Sequence, residues 1–337
     1  MFEGRVLLAT TGDGLVRAEC DETGEWSTAS LLQGTRVTSI ARVQALDTLY
    51  AGTHGQGILL SDDGGRTWQP AGLADQIVKS LASSPHEAGV LYAGVKPAGI
   101  FVSRDAGQSW RELEGFQRIR GRRFWFSPAE PPDWRAYVQA ISVSPTDPDV
   151  LVAGIEFGAV VRSADGGQTW SNHRKGAIRD CHGLTFHARE GSWVYEAGAS
   201  RVGAALSRDG GLSWHQPGEG LDRHYGWACA ADPERPEVWY LSAGPFGLAG
   251  APQAHKDGEA NSAIYRSVDG GPWQRLGGGL PEPMDYLAYA LTTDPQTPGR
   301  LLAGLANGEV WYTDDYGDSW ARLPLDLGRV YYRMLII

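Results

Sequence analysis

SDDGGRTW, Ser61 to Trp68, decides the fold because the chain writes it again. It returns as SRDAGQSW from Ser103, SADGGQTW from Ser163, SRDGGLSW from Ser207 and TDDYGDSW from Thr313. A shortened copy, SVDGGPW, runs from Ser267 to Trp273 and lacks the Ser/Thr before its tryptophan. A degraded copy, CDETGEW, ends at Trp26. Successive box tryptophans are 42, 42, 60, 44, 59 and 47 residues apart, a mean of about 49. A period of that size fits one four-stranded propeller blade per repeat.

The flanking sequence agrees. Each box is entered from a short apolar run such as GILLS, GIFVS or GAVVRS. Before that comes a run ending in small residues, TLYAGT, VLYAGV or VLVAGI, and before that a third, VTSIAR, VKSLAS or VQAISV. All are rich in β-branched and aromatic residues and bounded by turn formers. Each box tryptophan opens a fourth strand. The first unit lacks the earliest strand, and the C-terminal RVYYRMLII reads as that missing strand. The reading is therefore an all-β chain forming one domain over residues 1–337. Its expected form is a seven-bladed β-propeller of four-stranded antiparallel blades. The C-terminal strand joins the N-terminal blade and closes the ring, which removes an exposed sheet edge.

Repetition also assigns the acids. A catalytic site needs one or two carboxylates, whereas every blade needs a turn. Asp63, Asp105, Asp165, Asp209, Asp269 and Asp315 are thus read as structural, each accepting hydrogen bonds from its own turn. The motif S-x-D-x-G-x-T-W resembles the Asp-box, or BNR repeat. It is shared by sialidases, xyloglucan-degrading glycosidases, sortilin-type receptors and photosystem II assembly factors. That resemblance implies the propeller fold across nearly the whole chain. It does not choose among functions, because those relatives do unrelated things.

Composition narrows the classes. The 337 residues are 42% hydrophobic and 21% charged, as in a globular protein, and 45 are glycine. A net charge of −10 argues against nucleic acid or an anionic membrane as partner. Cys20, Cys181 and Cys229 show no metal-binding or disulfide spacing and read as reduced thiols. The opening MFEGRVLLATT has no basic stretch leading into an apolar one, so a cytoplasmic location is expected.

Two long connections, 114–138 and 244–263, are expected on the face opposite the boxes. The first carries Arg118, Arg120, Arg122 and Arg123 beside Phe124, Trp125, Phe126, Trp134 and Tyr137. It is either a binding surface or a lid packed on the ring. The second holds His255 and Lys256. Short turns on the same face bring polar groups to the channel mouth, among them Lys79, Lys96 and Tyr331. Arg36, Tyr137, Glu156, His182, Arg223, Tyr225, Tyr286 and Arg329 are the candidate ligand-binding residues.

The leading expectation is a non-catalytic propeller that binds a protein or a small polar, anionic or carbohydrate ligand through this face, with no cofactor and no metal. The alternative is a glycoside hydrolase using Glu156, Asp180 or Asp285. Sialidases that share the box carry an early F/Y-R-I-P motif and six blades; this chain has no such motif, and seven units are counted. The xyloglucan enzymes pair two seven-bladed units in a chain about twice as long. A metal-dependent lyase or oxygenase is a third class, suggested by His182, His224 and His255 from neighbouring repeats, but no H-x-H or H-E-x-x-H spacing supports it.

Overall fold

The computed structural model describes residues 2–246 and 252–337. Residues 247–251, inside the second predicted insertion, lie outside the described part. Strands follow one another as antiparallel neighbours, so most repeats build a sheet of their own. The unit holding the first full box runs Val37–Val43, Thr48–Thr53, Ile58–Ser61 and Gln69–Pro70 in that order. Ile77–Ser83 to Arg111–Glu112 and Ala288–Thr293 to Ala321–Arg322 repeat the pattern. Met334–Ile336 pairs with Val6–Thr10, so the C-terminal strand does join the N-terminal sheet. Neighbouring sheets pack face to face. Val90, Tyr92, Ile100 and Val102 of one unit bury against Val138, Ile141, Leu151 and Ala153 of the next. Burial of such side chains is worth about 1.5–3 kcal/mol each and is the main cohesion of the ring.

The expected seven four-stranded blades are corrected by the hydrogen bonding. Five sheets stand as separate blades among the described residues, and the remaining seven strands form one continuous sheet. That sheet joins the strands from Asp180–Phe186 to those ending at Gln274–Arg275. The join is one pairing, Ala199 with Tyr225. It is possible because Gly226 has no side chain: a Cβ there would lie 2.0 Å from the Gly203 carbonyl oxygen. Nor are all separate blades four-stranded. The sheet Val138–Val143, Val150–Ile155, Val160–Ala164 has three. Its fourth rung mixes backbone and side-chain bonds, with Ser171 N donating to the Arg162 carbonyl and Arg174 N to the Val160 carbonyl, both at 2.9 Å. Ser171 Oγ accepts the Arg162 amide at 2.9 Å and His173 Nδ1 accepts the Val160 amide at 3.1 Å.

The boxes are fastenings in five copies. In Asp63, Asp105, Asp165, Asp209 and Asp315, Oδ1 accepts the Ser/Thr hydroxyl two residues earlier and the amide four residues later, all at 2.7–2.9 Å. Oδ2 of each takes the hydroxyl four residues on. Asp269 departs from the expectation. Its box is one residue short, so the second hydroxyl is missing and Pro272 offers no amide hydrogen. Ser267 Oγ donates to the Gly271 carbonyl instead, at 2.9 Å, and Asp269 pairs with Arg208 at 2.8 Å. The degraded first copy is better formed than its sequence suggests: Asp21 Oδ1 accepts from Thr23 N, Thr23 Oγ1 and Glu25 N at 2.6–3.0 Å.

One irregularity builds the site. The innermost strand of six units shifts register by one residue near its start, and only Met334–Ile336 among the described innermost strands pairs without a shift. The shifts fall between Val37 and Ser39, Val78 and Ser80, Val138 and Ala140, Cys181 and Gly183, Gly226 and Ala228, and Ala288 and Ala290. The extra residues are Thr38, Lys79, Gln139, His182, Trp227 and Tyr289. A β-bulge re-aims its side chain, and four of the six, Thr38, Lys79, Gln139 and Trp227, line the channel mouth. The AG pairs of the neighbouring strands follow from this. A Cβ on Gly52 would sit 2.4 Å from Ser39 Oγ and 2.7 Å from Val78.

Candidate ligand-binding site

A cavity of about 460 Å³ occupies the mouth of the ring, on the side away from the boxes. Thr38, Lys79, Gln139 and Trp227 reach it from the bulges, and Arg36, Tyr137, Glu156, Asp180 and Tyr225 from strand ends beside them. None of the box aspartates lines it. Arg333 stands at its floor and also lines a smaller cavity of about 210 Å³.

One wall is electrostatic. The insertion 114–138 sends Glu130 into a nest of cations. Lys79 Nζ lies 2.6 Å from Glu130 Oε1, Lys96 Nζ 2.9 Å from Oε2, and Arg36 Nη2 3.2 Å from Oε1. Burial works against the Glu130 carboxylate, but Lys79 and Lys96 outweigh it and hold its pKa down at about 2. Lys79 also lies over the Tyr137 ring, 4.4 Å from its centroid. Lys96 also lies 3.5 Å from Asp133 Oδ2, so three cations meet two carboxylates and the wall keeps one positive charge. The other wall is aromatic. Tyr225, Trp227, Tyr331 and Tyr332 line it, and Tyr332 accepts from Arg36 at 2.6 Å. His255, from the second insertion, closes one side, held between Tyr225 Oη at 2.9 Å and Tyr289 Oη at 2.7 Å. Burial lowers its pKa to about 4, so it is neutral in this position.

The third element is an acid–imidazole trio. Glu156 comes from the turn after Val150–Ile155, and Asp180 and His182 from the start of the next inner strand. His182 Nδ1 bonds the Gly226 carbonyl at 2.7 Å, which turns Nε2 toward Asp180 Oδ1 at 3.6 Å and Glu156 Oε2 at 3.9 Å. Burial raises the pKa of Glu156. Burial lowers that of His182, but Asp180 and Glu156 outweigh it and raise it overall.

Other predicted residues do not meet here. Arg223 is spent on Asn261 and Asp222, at 3.0 and 2.7 Å. Arg329 pairs with Asp257 at 3.3 Å. Tyr286 packs into two core clusters. His224 bonds the Leu221 carbonyl at 3.0 Å, and Asp285 is outside the cavity lining. The residues that sequence reasoning missed are Glu130, Trp227, Tyr332 and Arg333. Trp227 and the other bulge residues share one position in each repeat, a signal that alignment of the repeats would expose. Glu130 carries no signal beyond being one acid in an arginine-rich insertion.

The first insertion packs on the ring in one part and leaves apolar side chains exposed in another. Phe116 is fully buried and Trp125 packs beside it, as in a lid. Phe124 is 71% exposed, Phe126 52% and Trp134 54%. Phe124 and Phe126 join Phe157, Arg120, Arg123 and Arg179 around a shallow groove of about 720 Å³.

Comparison with known proteins supports the class. The BNR/Asp-box repeat model matches residues 59–70, and the chain is a β-propeller carrying such repeats. No curated protein is matched by sequence. Among solved structures, an ancestral GH74 enzyme superposes with a TM-score of 0.64 at 19% identity, over 85% of this chain and 38% of that one. The GH74 xyloglucanase from Xanthomonas campestris gives 0.59 at 20%, over 85% and 45%. YCF48 bound to D1 peptide gives 0.57 at 15%, over 85% and 80%. These identities establish the fold alone, and the chain spans less than half the length of either GH74 protein. Among the described residues no helix is long and apolar enough to cross a membrane.

Proposed function

We propose that this chain is a binding protein that takes a small polar, anionic ligand, such as a sugar acid, into the cavity at the mouth of the ring. The observation that carries the reading is the pairing of walls. Arg36, Lys79 and Lys96 leave positive charge beyond what Glu130 and Asp133 neutralise, and aromatic rings line the same cavity beside them. Cations bind a carboxylate, and aromatic rings cover the apolar face of a sugar. The glycoside hydrolase reading is weaker. Paired glycosidase carboxyls face each other across the scissile bond, about 5–9.5 Å apart. Here Glu156 and Asp180 both approach one imidazole nitrogen, and Asp285 is outside the cavity. A second binding reading rests on the exposed Phe124, Phe126 and Phe157 beside arginines, a surface suited to an acidic, apolar peptide.

The test is calorimetric titration with uronic acids, sialic acid, neutral xyloglucan oligosaccharides and an acidic peptide, in chelator-treated buffer. An acidic sugar should bind, and Arg36→Gln or Lys79→Met should weaken it by about tenfold, one charge-assisted contact. The reading fails if no acidic ligand binds, or if both variants bind it as well as the parent. It also fails as non-catalytic if a glycoside is turned over and Glu156→Gln abolishes the turnover.

A further inference from the structure

We infer that Glu156, Asp180 and His182 form a binding site for a divalent first-row transition ion, with Zn²⁺ the best match. One ligand atom from each lies within 4.8 Å of the other two, and all three residues are buried. Two further observations point to a cation. Asp180 Oδ1 is buried without a hydrogen-bond partner, on a residue only 8% exposed, and it is aimed into the trio. His182 is anchored through Nδ1 to the Gly226 carbonyl, so Nε2 is the free nitrogen. Metal-binding histidines are commonly oriented in this way, by a hydrogen bond from the other ring nitrogen.

The neighbouring lysines do not satisfy the two carboxylates. Lys79, the nearest, gives its ammonium to Glu130 at 2.6 Å, and Lys96 does the same at 2.9 Å. Two carboxylates and a neutral imidazole balance a dication. Binding would displace any imidazolium proton to solvent. Imidazole among the donors favours Zn²⁺ or a neighbouring transition ion over Mg²⁺ or Ca²⁺, and no thiolate is present to draw a softer ion. Metal–ligand distances of about 2.0–2.2 Å place tetrahedral ligands about 3.4 Å apart. The separations of 3.6 and 3.9 Å from the imidazole therefore need to close by a few tenths of an ångström, and that between the two carboxylates, bounded by 4.8 Å, by up to about 1.4 Å. Glu156 and Asp180 also line the cavity, so the ion's remaining position would face it. The inference assumes nothing about the cavity's ligand.

The experiment uses the whole chain and metal alone. Protein dialysed against chelator is titrated with ZnCl₂ by calorimetry, with MgCl₂ in parallel. One equivalent of Zn²⁺ should bind and Mg²⁺ should not compete. Glu156→Gln and Asp180→Asn should each weaken Zn²⁺ by about tenfold or more. His215→Gln, distant from the trio, is the control and should bind as the parent does. X-ray absorption at the zinc edge of the parent protein should show a nitrogen/oxygen shell with one imidazole, a readout that needs no variant to fold. Absence of stoichiometric uptake overturns the site, and so does affinity unchanged in both acid variants. A sulfur ligand or several imidazoles at the zinc edge would overturn it equally.

Discussion

Replacing Asp315 by Ala and Asp269 by Ala makes the same chemical change at the same place in two repeats, and the structure predicts opposite outcomes. The Asp315 carboxylate accepts three hydrogen bonds, from Thr313 Oγ1 at 2.7 Å, Ser319 N at 2.9 Å and Ser319 Oγ at 2.6 Å. Burial opposes its ionisation, but these bonds outweigh it and lower its pKa from 3.8 to about 2. Taken whole, that shift is worth roughly 2 kcal/mol. The group is exposed, so solvent screening reduces it to about 1 kcal/mol. The shift is the effect of the turn's own bonds, so their loss is this same cost of about 1 kcal/mol and not a further one. Asp269 holds only an exposed pair with Arg208, worth about 0–1 kcal/mol. In urea unfolding at pH 7, Asp315→Ala should lower the midpoint by about 0.5 M and Asp269→Ala by little or nothing. The sign with pH is fixed. A carboxyl whose pKa falls on folding stabilises above its unfolded pKa, and the contribution is lost as pH drops through the folded one. The gap between Asp315→Ala and the parent should therefore narrow between pH 4 and pH 2. Equal midpoint shifts for the two variants, or a gap that stays constant with acid, would refute the view that the box acid acts through its turn.

Glu130→Gln removes the charge that collects Lys79, Lys96 and Arg36, so the 114–138 connection should become more sensitive to limited proteolysis while the ring's far-UV circular dichroism is unchanged. Gly52→Ala puts a Cβ 2.4 Å from Ser39 Oγ and should destabilise by about 1–3 kcal/mol, measured by urea unfolding. Glu196 is fully buried, and burial pushes its pKa well up. An acid whose pKa rises on folding costs stability as pH rises above its unfolded value, so Glu196→Gln should be the more stable protein at pH 8 and equal to the parent near pH 4. If a peptide partner uses the groove, Phe124→Ala with Phe126→Ala should weaken an acidic peptide in calorimetric titration by tenfold or more while leaving sugar-acid binding unaltered.

The ring was legible because its parts are local. Box, turn and strand are each set by residues within a few positions, and the chain repeats them, so one reading is checked at every copy. The hydrogen bonds of Asp63 span only two to four residues. The division into sheets was not legible. Whether Ala199 pairs with Tyr225 depends on how closely Gly203 and Gly226 approach, and nothing at either position announces it. The site was half legible for a similar reason. Turn position correctly brought Arg36, Tyr137, Glu156, Asp180 and Tyr225 to the mouth. It also proposed Arg223, Arg329 and Tyr286, which are held by partners or packing beside the rim.

What turn position could not supply is the bulge. A residue out of register by one looks like any other strand residue in sequence, yet it points where no regular strand would send it. Glu156, Asp180 and His182 were each candidates from the sequence, but their grouping was not legible. Glu156 lies 24 positions from Asp180 in sequence, so no ligand spacing exists to be read. The unit of chemistry in this fold is therefore a single level of the ring, one residue from each blade, rather than a stretch of chain. Metal and ligand motifs written along a chain will miss such sites. Aligning the repeats on their boxes and reading down the bulge position places Thr38, Lys79, Gln139, His182, Trp227 and Tyr289 in one column. Four members of that column, Thr38, Lys79, Gln139 and Trp227, line the cavity, and His182 and Tyr289 pack against Trp227 behind it.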